Sequence, residues 1–201
     1  MAGSESTRLE AIVLAAGAGR RFGGRKLTAT FEGRPLIAGA LDAAFAAPVR
    51  GVILATDGDP DLADAAQAHA RALGREAKLR VVTVADAADG MGASLRTAVA
   101  ALQADTDGVF VFLGDMPRIP PAVPRALAAA LSDGFDAAAP RVGAQRGHPV
   151  LFARRHFAAL LGLTGDLGAQ GVLARSGTRL KLIDTLDVGV FFDIDRRKDL
   201  G

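Results

Sequence analysis

A three-layer α/β sandwich, with helices on both faces of a mostly parallel and partly mixed sheet, is the fold class this sequence predicts. Three observations carry it. Short, almost wholly apolar runs alternate with alanine-rich segments of helical spacing, and strands covered on both faces read as such runs. That alternation builds parallel sheets flanked by helices. The first run is followed at once by a glycine-rich, cationic turn, and ligands of open parallel sheets lie beyond the carboxyl ends of the strands.

Taken in order, residues 12–14 are the first expected strand and 35–46 the first helix, with Pro35 at its first turn, where a missing N–H costs nothing. The run 52–55 is the second strand, and Asp59-Pro60 opens a second helix over 61–73. A strand over 79–84, a helix over 92–104 and a strand over 109–113 follow. After Pro120 the rhythm changes. A helix over 121–131 leads to a strand over 135–139, a basic turn over 141–147 and a strand over 149–152. Helical pieces over 154–161 and 168–175 precede strands near 180–183 and 188–194. This second half extends the same sheet and forms the other wall of a cleft. Residues 1–8 read as a flexible polar tail and 9–201 as a single domain; there is no linker, repeat or low-complexity tract.

The turn itself runs Leu14-Ala15-Ala16-Gly17-Ala18-Gly19-Arg20-Arg21-Phe22-Gly23-Gly24-Arg25-Lys26. Small residues let a ligand approach the backbone, and glycine accepts the angles of a tight turn whose N–H groups bind anions. Three arginines and a lysine in the same loop point to phosphate, and to several phosphates. Two phosphate-loop templates fail. The dinucleotide fingerprint has Phe22 in place of its third glycine, and the P-loop has Arg25-Lys26-Leu27 where a magnesium-binding hydroxyl belongs. A metal therefore has to be held elsewhere in the chain.

Composition narrows the class. The chain has 201 residues, 50% of them hydrophobic, which suits one domain with a sizeable core. Net charge is only +2, and Trp and Tyr are absent, against the dense basic and aromatic surface of a nucleic-acid binder. No cysteine is present, so disulfides and thiolate metal sites are excluded. Residues 1–8 show neither signal peptide nor anchor, and no apolar segment reaches membrane-spanning length. A cytoplasmic protein is expected.

Phe110-Val111-Phe112-Leu113-Gly114-Asp115-Met116-Pro117 delivers Asp115 to the same sheet edge as the glycine-rich turn. Magnesium takes one or two carboxylates plus phosphate oxygens and water, so Asp115 is the metal candidate; the plainer alternative is a turn or helix cap. Asp193 and Asp195, in Phe191-Phe192-Asp193-Ile194-Asp195, are placed on one side of the expected last strand, either to complete that site or to cap residues 196–200. Gly90-Met91-Gly92-Ala93-Ser94 is a second glycine-bearing turn entering a helix, where Gly92 and Ser94 either contact a nucleotide or simply begin the helix. His148 stands in a turn before the strand 149–152, and Gly165-Asp166-Leu167-Gly168 precedes a helix with Asp166 as its cap. His69 and His156 lie in helical stretches, no zinc spacing is present, and Ser94 has no triad partner in view.

In this order the blocks resemble the nucleotidyltransferases of molybdenum cofactor maturation, over nearly the whole chain after the tail. Leu14 to Lys26 looks like that family's glycine-rich signature, Gly114-Asp115-Met116-Pro117 like its metal motif, and Gly147 to Phe152, Gly165 to Gln170 and Asp193-Ile194-Asp195 like its later blocks. The likeness is greatest to the cytidylyl branch, on Ala16, where the guanylyl branch usually has Gly, and on Met91-Gly92-Ala93-Ser94-Leu95. Arg196-Arg197 departs from the Thr-Pro that usually follows the last acidic pair.

The resemblance implies a Rossmann-like fold of the nucleotide-diphospho-sugar transferase type, acting as a Mg²⁺-dependent transferase of CMP from CTP to molybdopterin, with release of pyrophosphate. It implies catalytic roles for Arg21, Lys26 and Asp115. Nucleotide binding falls to Leu14, Ala15, Ala16, Gly17, Gly19, Arg21, Gly23, Gly24, Lys26, Gly92 and Ser94. Acceptor binding falls to His148, Gly165, Asp166 and Gly168, and metal binding to Asp115 with Asp193 or Asp195. A molybdoenzyme or its accessory protein is the implied partner, with no nucleic acid or membrane. The alternatives are guanylyl transfer to molybdopterin, transfer to a sugar phosphate, methylerythritol phosphate or phospholactate, and a non-catalytic nucleotide-binding accessory of molybdoenzyme maturation.

Overall fold

The computed structural model describes residues 7–17, 22, 24–165 and 168–200. Its main sheet has the order β10-β7-β9-β6-β1-β4-β5, built from β1 (Leu9–Leu14), β4 (Gly51–Thr56), β5 (Leu79–Thr83), β6 (Gly108–Leu113), β7 (Ala137–Val142), β9 (Val150–Ala153) and β10 (Leu180–Asp184). β9 is antiparallel to both neighbours, and the other pairings along this order are parallel. The mostly parallel, partly mixed sheet expected from the sequence is therefore present. β8 (Gln145–Arg146) folds back on β7 within the basic turn.

Side-chain alternation divides the core in two. Ala11 and Val13 of β1 pack with Ile37, Leu41, Leu62 and Leu127 on one face, from α1 (Ile37–Ala46), α2 (Pro60–Ala72) and α4 (Ala122–Ser132). Ile12 and Leu14 pack with Leu95, Leu160 and Val172 on the other, from α3 (Met91–Ala100), α5 (Phe157–Leu161) and α6 (Gln170–Arg175). A strand with one hydrophobic set for each face cannot be half-exposed, which is why β1 reads as a continuous apolar run. Its one charged residue, Glu10, is fully buried. Arg80, the Thr106 hydroxyl and the Gln103 N–H all donate to its carboxylate.

Three expectations are corrected. Pro35 does not open a helix. It lies in β3 (Arg34–Pro35), paired antiparallel with β2 (Thr30–Phe31), and α1 starts at Ile37. The two-residue turn Glu32-Gly33 has positive φ at both positions, 50° and 80°, the geometry that closes a tight hairpin. Residues 188–194 are not a strand. The Asp187 carboxylate accepts from the Gly189 N–H at 2.8 Å and starts a 3₁₀ turn over Val188–Phe191. The third concerns lengths: α3 ends at Ala100, β7 runs on to Val142, and α6 begins at Gln170.

β1 lies between β4 and β6, so successive connections leave it in opposite directions and open a crevice at its C-terminal end. Leu14 is in register with Leu113, and the Gly114 N–H donates to the Leu14 carbonyl at 2.9 Å. α1 then packs against the chain just beyond Asp115. A Cβ on Gly39 would stand 2.5 Å from the Pro117 carbonyl oxygen and 2.6 Å from its Cα. Gly39→Ala is expected to destabilise the protein by about 1–3 kcal/mol, measured by urea denaturation. An unchanged midpoint would show that helix and loop can separate freely.

Candidate active site

The glycine-rich turn leaves β1 at the crevice. The Ala15 N–H is committed to the Ala55 carbonyl at 2.8 Å, and Leu14 and Ala15 are buried. The Ala15 N–H is thus engaged within the sheet. Gly17 has φ 75° and Gly24 φ 93°, both left-handed, and Arg25 keeps φ 51° although it carries a side chain. Strained non-glycine backbone of this kind gathers at functional sites. Arg25 pairs with Asp61 of α2 at 2.6 Å, so α2 holds the far side of the turn. Gly19, Arg21, Gly23 and Asp166, all expected at the site, lie outside the described residues.

Lys26 follows Arg25, and its side chain is only 5% exposed. Its Nζ donates to Asp115 Oδ2 at 2.8 Å and stands 3.5 Å from Asp195 Oδ1. The loop after β1, the end of β6 and the segment after the 3₁₀ turn Val188–Phe191 thus meet at one ammonium group. Gly114 makes this possible: a Cβ there would lie 3.0 Å from the Leu14 carbonyl oxygen.

Asp193 and Asp195 arrive by a route other than strand alternation. Ile194 is fully buried, and its N–H donates to the Asp115 carbonyl at 3.1 Å. That one bond, rather than a ladder, sets the two aspartates beside Asp115. Burial, and then the charges of Asp195 and Asp115, push the Asp193 carboxyl above the usual carboxylate range. Asp195 is the more open, at 57% exposed, and Asp115 is 23% exposed. The departure at Arg196-Arg197 acquires a structural use. Arg197 donates to the Phe22 carbonyl at 3.4 Å and stacks its guanidinium over the Phe22 ring, tying this segment to the glycine-rich turn. Arg118 lies over both Phe31 and Phe192 and pairs with Glu32, holding the chain after Asp115.

The second wall is a seam between two of the expected blocks. A Cβ on Gly92 would lie 2.7 Å from the Gly165 carbonyl oxygen, and one on Gly168 would lie 3.1 Å from Met91 Sδ. Sequence reasoning missed the residue that clamps this seam. Arg96 donates to the Leu163 carbonyl at 2.8 Å and to Asp86, in the loop before α3. Ser94 is buried within α3, while Met91 at the start of that helix is exposed.

His148 is anchored through its backbone N–H to the Val190 carbonyl at 3.0 Å, and its buried Nδ1 has no hydrogen-bond partner among the described residues. Burial pushes its imidazole below the ordinary range, against the opposing pulls of a Val111 backbone hydrogen bond and the Asp115 charge. His148 therefore belongs to the wall behind Asp115.

As an oxygen-only donor set of carboxylates, Asp115, Asp193 and Asp195 suit a hard divalent cation. Among the described residues, no group of three or more His, Cys, Asp or Glu side chains is disposed to hold a metal ion by itself. Such a cation would need further oxygens from its ligand. Nor, among the described residues, is any helix long and apolar enough to cross a membrane.

Residues 11–180 match the MobA-like NTP transferase domain, and the chain belongs to that family. Among solved structures it is similar to Rv0371c from Mycobacterium tuberculosis H37Rv, with 26% identity, a TM-score of 0.74 and coverage of 96% of this chain and 95% of that one. The homologue from Mycobacterium sp. strain JC1 has 29% identity, a TM-score of 0.77 and coverage of 96% and 92%. A nucleotidyl transferase from Methanothermobacter has 20% identity, a TM-score of 0.74 and coverage of 96% and 94%. Rv0371c has also been solved with manganese. A search of curated protein sequences gave no significant match.

One prediction concerns His148. A folded-state imidazole pKa below that of the unfolded chain means that unfolding takes up protons, so stability falls as pH drops below about 6.5 toward the depressed value. His148→Gln is expected to flatten part of that loss, read as the change in urea midpoint between pH 7 and pH 5. His156, also lowered by burial, supplies a further part. An unchanged slope would show that His148 is not held neutral by its surroundings.

Proposed function

We propose that this protein transfers CMP from CTP to a molybdopterin acceptor and releases pyrophosphate. The observation that carries the reading is the meeting of Lys26, Asp115 and Asp195 at the crevice where the glycine-rich turn leaves β1. The family supplies the transfer of a nucleotidyl group from a nucleoside triphosphate. CTP and molybdopterin come from the sequence resemblance, through Ala16, the turn 91–95, and the blocks at Gly147 and Gly165. Residues 9–201 are proposed to form one nucleotidyltransferase domain.

The acceptor phosphate attacks the α-phosphorus of the triphosphate. It is already an anionic nucleophile at neutral pH, so the protein supplies alignment and charge neutralisation rather than a strong base. N–H groups from Ala16 to Gly24 cradle the β- and γ-phosphates. Arg21 and Lys26 balance the charge of the departing pyrophosphate. Asp115, with Asp193 or Asp195, would hold Mg²⁺, which when bound neutralises charge on the transferring group. The mouth formed by Gly90, Met91 and Gly92 flanks the nucleotide, with buried Ser94 supporting it from within α3. Gly165, Asp166 and Gly168 border the acceptor, and His148 backs the wall beside Asp115. Manganese in the Rv0371c complex is consistent with a divalent ion here.

The deciding experiment is pyrophosphate release. It should require both CTP and molybdopterin. Release with another phosphorylated acceptor, or with GTP alone among triphosphates, would overturn the specific assignment. Asp115→Ala should lower transfer by about 10²-fold or more, and normal turnover with Mg²⁺ would remove Asp115 from the site. Ala16→Gly should raise use of GTP relative to CTP by about tenfold, the scale of one methyl group in a binding pocket. An unchanged preference would show that the Ala16 methyl does not narrow the base pocket.

A further inference from the structure

We infer that Lys26 is the resident counter-ion of the carboxylate cluster, and that a divalent metal, competing with Lys26 for that position, binds tightly only when a triphosphate draws Lys26 away. The inference rests on the nucleotidyltransferase reading above. Carboxylates of like sign gathered at one rim need a cation beside them. In this structure an ammonium supplies it, 2.8 Å from Asp115 and 3.5 Å from Asp195. Lys26 is among the few buried charged side chains of the described residues, so it cannot turn to solvent without breaking that pair. A metal arriving alone would face an occupied position and too few protein ligands. A triphosphate arriving alone would meet a lysine already neutralised and three aspartates of its own sign.

Together the two ligands resolve both difficulties. Asp115 and Asp195 would then hold the metal, and the Lys26 ammonium, at the start of the 3₁₀ turn that follows Arg25, would be free to pair with the phosphates. Neither move leaves a buried charge unpaired. Metal and nucleotide binding are therefore positively coupled, and the coupling is reciprocal. If Lys26 holds the carboxylates nine-tenths of the time or more in the free protein, metal affinity is reduced by about tenfold or more.

The test is Mn²⁺ binding by electron paramagnetic resonance. Wild type and Lys26→Met are compared without nucleotide and with CTP or GTP, each against a protein-free nucleotide control. Lys26→Met should bind Mn²⁺ alone at least about tenfold more tightly than wild type, and nucleotide should tighten Mn²⁺ binding far more in wild type than in the variant. Equal or weaker Mn²⁺ binding by a folded Lys26→Met overturns the inference. A second measurement needs no variant. Reductive methylation of wild type, read by mass spectrometry, should show Lys26 shielded in the free protein and more reactive at saturating Mn²⁺; no change in reactivity also overturns it. The two readings fail differently. If wild type takes up Mn²⁺ with nucleotide but Lys26→Met behaves like it throughout, only the counter-ion role falls. If neither protein takes up Mn²⁺ even with CTP or GTP, the nucleotidyltransferase site itself is wrong.

Discussion

The hydrogen bond from the Gly114 N–H to the Leu14 carbonyl is the constraint on which the rest of the site depends. It extends the β1–β6 ladder from the last residue of β1 to the first residue beyond β6. A one-residue slip would exchange the two hydrophobic sets of β6 and turn Asp115 to the opposite face. The register is in turn secured by two apolar clusters, one on each side of the sheet, which draw alternate residues of the same strands. Packing thus decides where the acid stands, and the acid decides where the lysine stands.

Electrostatics at the rim follow from that placement. A buried or half-buried ion pair is poor evidence for stability, since the desolvation of both charges offsets their attraction. Here the pair has a different significance. The surrounding aspartates make the position one that some cation must hold. The arginines complete the frame without entering it: Arg197 ties the turn to the last segment, Arg118 holds the loop after Asp115, and Arg25 reaches α2.

Much of this was readable from the chain. β1, β4 and β6 were legible because strands buried on both faces cannot hide among polar residues, and the two rim motifs were legible because each directly follows such a strand. The hairpin of β2 and β3 was not, because two-residue strands carry no periodicity. Residues 188–194 misled for a related reason. Their apolar side chains suggested a strand, but the Asp187 cap turns the chain, and the Ile194 N–H finds a single carbonyl in place of a neighbouring ladder. The contact of Lys26 with Asp115 spans 89 residues of sequence, so spacing alone could bring both to one edge but not to one another. Arg96 looked like any helical arginine, since nothing local signals that its partners are the Leu163 carbonyl and Asp86.

The seam at Gly92 and Gly165 has a consequence for how selectivity can change in this molecule. Backbone meets backbone there, so the distance between the two walls is set by peptide groups, not by exchangeable side chains. Widening the groove by substitution would strain the main chain, while narrowing it would demand a smaller residue than glycine. On the proposed reading, discrimination between acceptors of different size would rest on exposed side chains beside the seam, such as Met91 at the start of α3. A library meant to redirect the protein is best confined to such side chains.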